Sequence, residues 1–101
     1  LKQGIQLIQE GKLDFAVEQL QSAVRMHPNE STGHVHLGIA LARLRRFAEA
    51  ETSFREAARL QPESGNILLN LGASCLDQNK FKEAETAFRE GIKHDPKRLE
   101  L

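Results

Sequence analysis

The chain says nearly the same thing three times. Its only prolines, Pro28, Pro62 and Pro96, stand 34 residues apart. The stretches they close, "LQSAVRMHP", "FREAARLQP" and "FREGIKHDP", are variants of one phrase. A fixed period of this length confines a chain to architectures in which one supersecondary unit stacks on copies of itself. Aligned on the prolines, Gly4, Gly38 and Gly72 share a column, as do Leu7, Leu41 and Cys75. Ala16, Ala50 and Ala84 share another, followed by Leu20, Phe54 and Phe88, and then by Ala23, Ala57 and Gly91.

Each copy reads as two helices. His34, Leu37, Leu41 and Leu44 recur at steps of three and four, which places them on one helical face. Phe47, Ala50, Phe54, Ala57 and Leu60 do the same in the second half of the copy. Between the halves, Gly11-Lys12 and Asn79-Lys80 supply residues that tolerate the left-handed conformation that ends a helix. The middle copy has Arg45-Arg46 there, which predicts strain or a longer first helix. Each proline stops the second helix by pushing its predecessor out of helical geometry. Ser31 and Ser64 stand where a cap would open the next copy. The expected helices are 1–10, 14–27, 32–44, 47–60, 66–78 and 81–94.

The small-residue columns let the helices of one copy approach closely. Gly38 and Ala50 lack bulk, Phe54 fills the space beside them, and Ala57 makes room for the next copy. One such hairpin leaves an apolar face bare, so each copy is a tile that needs another.

"HVHLGIAL…AETSF…P" and "LLNLGASC…AETAF…P" resemble the tetratricopeptide repeat, W-x2-L-G-x2-Y, then A-x3-F, then P. Leu37-Gly38, Ala50, Phe54 and Pro62 match, as do Leu71-Gly72, Ala84, Phe88 and Pro96. His34 and Leu68 replace the tryptophan, and Leu41 and Cys75 the tyrosine. In the first copy Gln3 replaces the leucine and Leu20 the phenylalanine, and the copy begins partway through its first helix. The resemblance implies an all-α fold, a right-handed α-solenoid of three helix-turn-helix repeats with six antiparallel helices. Residues 1–30 form repeat 1, incomplete at its N-terminus, 31–64 repeat 2 and 65–98 repeat 3. Residues 99–101 begin a following segment. A start at Leu1 rather than Met suggests a piece of a longer protein.

Composition narrows the chemistry. Lys and Arg total 14 and Asp and Glu total 14, so no net field draws nucleic acid or an anionic membrane. Without Tyr or Trp, bases also lack their usual stacking platforms. No apolar run approaches the ~20 residues that span a bilayer, so membrane insertion is not expected. His34 and His36 point to different sides of one helix and cannot clasp an ion together. No spacing of Cys, His and carboxylates suits zinc, and no glycine-rich phosphate loop is present. No metal or other cofactor is expected, and no catalytic residue. His34 reads as a packed histidine in the tryptophan column, and His27 and His94 as helix-end neighbours of the dipole. Cys75 reads as a small buried hydrophobe. The arginines of "ARLRRF" read as a solvated turn, and Glu51–Arg55 and Glu85–Arg89 as supports of an exposed helix face.

In proteins of the resembled family, the first helices line a concave surface. Three columns of that surface are apolar here: Leu1/Val35/Leu69, Ile5/Ile39/Ala73 and Ile8/Ala42/Leu76. Lys2/His36/Asn70 and Gln9/Arg43/Asp77 flank them, with Asn66 at one end. A greasy stripe between polar rims suits an apolar or amphipathic segment of a protein partner. The carboxylate clamp of co-chaperone repeats is absent, because the matching columns hold Leu1, Ile5, His36, Asn66 and Asn70. The asparagine ladder of O-linked N-acetylglucosamine transferases is reduced to Asn70. The expected function is therefore a non-catalytic scaffold or adaptor module that binds a peptide or helix, with self-association a second outcome of its uncovered end helices. The alternative is a targeting or regulatory segment of a larger enzyme whose catalytic domain lies outside these residues.

Overall fold

The computed structural model describes residues 1–95. Its helices are α1 (Lys2–Gln9), α2 (Leu13–Met26), α3 (Ser31–Arg43), α4 (Phe47–Leu60), α5 (Gly65–Asp77) and α6 (Phe81–His94), with no strand among the described residues. Every end falls within one residue of the position expected from periodicity and stop signals. Pro96, the close of repeat 3 and the 99–101 segment lie outside the described residues.

The three tight turns occupy equivalent positions and share one conformation. Gly11, Arg45 and Asn79 have φ of 77°, 63° and 64°. In each, the next N–H reaches back to close the first helix: Lys12 donates to the Leu7 carbonyl, Arg46 to Leu41 and Lys80 to Cys75, all at 2.9 Å. The middle copy does not lengthen its first helix, since α3 and α5 both have 13 residues. It holds Arg45 left-handed instead, at a backbone cost of roughly 1–2 kcal/mol. The Arg45 guanidinium lies 5.5 Å from the centre of the Phe47 ring, an attraction that offsets part of that cost.

Of the two expected caps, one forms. The Ser64 hydroxyl accepts from the Ile67 N–H at 3.4 Å. Ser31 is not a cap. It lies inside the first turn of α3 and is buried, while Glu30 holds the cap position without a side-chain bond. The reason is register: Glu30, not Ser31, is the 34-residue equivalent of Ser64.

Packing within each copy follows the small-residue columns. A Cβ on Gly38 would lie 2.6 Å from the Phe54 ring, one on Gly72 2.7 Å from Phe88, and one on Gly4 2.6 Å from Leu20. Only glycine permits these approaches, and Ala50 and Ala57 beside them have no exposed surface. Between copies, α2 packs on α3 and α4 on α5, and α1 also touches α3. One core therefore runs unbroken from Ile8 through Phe54 to Ala87. Cys75 is wholly buried within it, and burial pushes its thiol above the ordinary range, as suits an inert packing residue. No helix among the described residues is long and apolar enough to cross a membrane.

Candidate binding surfaces

The first helices α1, α3 and α5 carry the apolar columns expected to face a ligand, and the structure grades them along the stack. In α1, Ile8 belongs to the core, 6% exposed, and Ile5 is half-buried. Ile8 is therefore a correction: it fills space between helices and offers little surface. In α3, Val35 and Ile39 are half-buried and pack against the core, and Arg43 at the helix end is exposed. In α5, Leu69 is half-buried, while Ala73, Leu76 and Asp77 are exposed. Two of the three columns are thus most open at the third copy, where Leu76 is 47% exposed, while Leu1 at the other end of the stripe is 44% exposed.

The polar rims are less free than their residue types imply. Asn70 donates its amide to the Asn66 carbonyl one turn back, at 3.1 Å. Asn66 itself is exposed. His36 is half-buried, and burial holds its imidazole below the ordinary value. At neutral pH it is an uncharged rim group. His34 is not simply packed, because its ring Nε2 donates to the Pro28 carbonyl at 2.9 Å. It pins the loop between the first two copies.

One cluster was not legible as a cluster in the sequence. Glu51, expected on an exposed helix face, is 7% exposed. Its carboxylate accepts from Arg55 at 2.7 Å, from Gln78 at 2.8 Å and from Lys80 at 3.0 Å. Arg55 continues to Glu83 at 3.0 Å. Burial pushes the Glu51 carboxyl up, but the bonds from Lys80, Arg55 and Gln78 outweigh it and bring it down to about 2. Glu51, Cys75 and Glu83 bring ligand atoms within 4.8 Å of one another. However, Arg55 and Lys80 already neutralise those carboxylates. The group reads as an ionic junction joining the second and third copies. Glu85–Arg89, its sequence twin, is exposed as expected.

The uncovered last helix expected from the sequence carries a second surface on α6. Leu76, Phe81, Ala84, Phe88 and Ile92 line an apolar cleft there, and Phe81 is 63% exposed. The column Leu13/Phe47/Phe81 was the available signal. It is apolar in all three copies, and its residue is half-buried wherever another copy follows.

Comparison with known proteins agrees with this architecture. A family model described as tetratricopeptide repeat matches residues 1–64 and again residues 37–98. Among solved structures, the first TPR of Spaghetti (RPAP3) bound to the HSP90 peptide SRMEEVD superposes with a TM-score of 0.93. That likeness covers 98% of this chain and 79% of the other at 22% identity, and is one of fold. MamA from AMB-1 superposes with a TM-score of 0.87 at 30% identity, over 91% of this chain and 54% of MamA. A MamA RS-1 double mutant gives 0.90 at 18% identity, over 99% and 56%. The chain thus spans about half the length of these MamA structures. Among curated proteins, none matches.

Proposed function

The chain belongs to the tetratricopeptide repeat family, and from that premise we propose that it is a non-catalytic interaction module whose first-helix face holds an apolar or amphipathic segment of a protein partner. The observation that carries this reading is the stripe of Ile5, Val35, Ile39, Leu69, Ala73 and Leu76, which opens toward α5. Its polar borders carry one exposed charge on each first helix, Lys2 on α1 among them. Arg43 and Asp77 stand exposed at the ends of α3 and α5, His36 is neutral, and Asn70 is turned to its own helix. A ligand here is selected by apolar contact, with Arg43 and Asp77 setting its direction through opposite charges. The structurally similar RPAP3 domain is seen with an acidic peptide. In this chain, the columns that would clamp a terminal carboxylate hold Leu1, Ile5, His36, Asn66 and Asn70, a set that favours apolar side chains over an acidic tail.

The reading is tested by selecting peptides from a displayed random library on the wild-type chain and titrating them against Ile39→Glu. The selected peptides are expected to be rich in apolar residues, and the variant to lose their binding while keeping its helical circular dichroism. Peptides that bind the variant unchanged, or a variant that unfolds, would remove Ile39 from the ligand surface and sink the groove.

A further inference from the structure

The second helices α4 and α6 meet over α5 beside a cleft of about 320 Å³. Its floor is apolar: Leu71 and Ala87 are each 6% exposed, and Leu68 is half-buried. Arg55 on one wall donates to Glu83 on the other at 3.0 Å. That bond ties α4 to α6 and leaves no trough ~10 Å wide for a helix. Thr86 donates its hydroxyl to the Lys82 carbonyl at 3.1 Å and is engaged by its own helix. Two charges on the rim are left over. Lys82 is exposed and has no ion-pair partner among the described residues, and Glu90 has only the His94 ring, at 3.8 Å.

The junction between the first two copies lacks this arrangement. Its equivalents are His34 for Leu68, Ala48 for Lys82 and Glu56 for Glu90. His34 is turned to the Pro28 carbonyl, and Glu56 is already paired with Arg59. Nor does the openness of the cleft come from its place at the end of the stack. Glu49 and Thr52, the equivalents of Glu83 and Thr86, stay exposed although a third copy follows them.

We propose that the cleft receives an extended segment of a partner protein, with an acidic, an apolar and a basic side chain at alternate positions. Lys82 and Glu90 are eight residues apart on α6, about 12 Å along its axis. Four steps of extended chain cover about 13 Å and return a side chain to the same face at every second residue. The acidic side chain then meets Lys82, the apolar one enters over Leu68, Leu71 and Ala87, and the basic one meets Glu90. A small apolar molecule would fill the floor and leave both charges unmet. The cleft shares no residue with the first-helix stripe, and the inference does not depend on that stripe.

The probe is a capped peptide, Thr-Glu-Val-Leu-Val-Arg-Thr, whose valines favour the extended form. Titrated at low salt into the isotope-labelled chain, it is expected to shift the resonances of Leu68, Leu71 and Ala87 and to leave Val35 and Ile39 in place. Lys82→Glu in the chain is expected to weaken it roughly three- to fivefold. The same peptide with lysine in place of its glutamate is expected to recover that loss on the variant. Leu68→Trp, which fills the cleft, is expected to abolish binding with helical circular dichroism retained. No shifts at millimolar peptide, shifts along α1 and α3 instead, a charge swap without rescue, or full binding by the Leu68→Trp chain each overturns the proposal. So does N-acetyl-leucine amide binding as tightly as the peptide, because the cleft then takes a small apolar molecule.

Discussion

The two junctions between copies have the same backbone and opposite chemistry. Where the second copy meets the first, Val17 is 4% exposed and Leu44 packs on the same core. Where the third meets the second, the equivalent positions hold Glu51 and Gln78, and the carboxylate is buried under amide, ammonium and guanidinium donors. Bulk is exchanged in the same paired way. A Cβ on Gly33 would lie 3.0 Å from Val24, while the equivalents of that pair are Ile67 and Ala58. A junction tolerates either solution provided both sides change together. A large residue needs a small one opposite, and a buried charge needs every lone pair met.

The largest expected effect comes from moving the charge to the wrong junction. Val17→Glu places a carboxylate against Leu44 with no cation at the Arg55 position, which Gln21 occupies. A loss of about 3 kcal/mol is expected from urea denaturation. Adding Leu44→Gln should recover about 1 kcal/mol, because Arg46 already stands where Lys80 does in the next copy. No recovery would show that the two junctions are not interchangeable.

Acid should open the ionic junction selectively. The Glu51 carboxyl falls from an ordinary 4.5 to about 2 in the folded chain. A depressed carboxyl contributes stability that is complete above its unfolded value and lost as pH falls through the folded one. The window is therefore pH 4.5 down to about 2, with on the order of 2 kcal/mol at stake. Denaturation measured across that window should show a smaller pH dependence for Glu51→Gln. An unchanged slope would assign the acid sensitivity to other carboxylates.

The smallest difference, about 1 kcal/mol, concerns packing inside the copies. Gly38→Leu forces Phe54 out of a fully enclosed place and is expected to cost ~1–3 kcal/mol by thermal unfolding. Gly72→Leu meets Phe88 at nearly the same distance, but Phe88 borders the open end cleft and can swing outward. It should cost about 1 kcal/mol less, at the lower end of the overpacking range. Equal losses would mean that the end of the stack is as rigid as its middle.

The tiles were legible because their signals are local. Proline stops at Pro28 and Pro62, the turn residues Gly11 and Asn79, and the glycine and alanine columns each act within one helix or one hairpin, and periodicity reports them directly. Even the strain at Arg45 was readable, since that turn position demands a left-handed residue. The groove was less legible. Residues of one column, Ile8, Ala42 and Leu76, run from core to surface, because exposure depends on how many neighbours each helix has in the stack, which is not written in the column.

By itself, the sequence determined the period, the six helices and the close pairing inside each copy, since those follow from backbone sterics and helical spacing over a few residues. Only the tertiary structure decided which of two nearly identical ion pairs is buried. "EAETSFRE" and "EAETAFRE" differ by one residue, yet Glu51 lies beneath Gln78 and Lys80 while Glu85 stands 67% exposed in solvent. The distinction comes from what the next copy lays over each pair, and the energy of a charge depends on that covering more than on its neighbours in sequence.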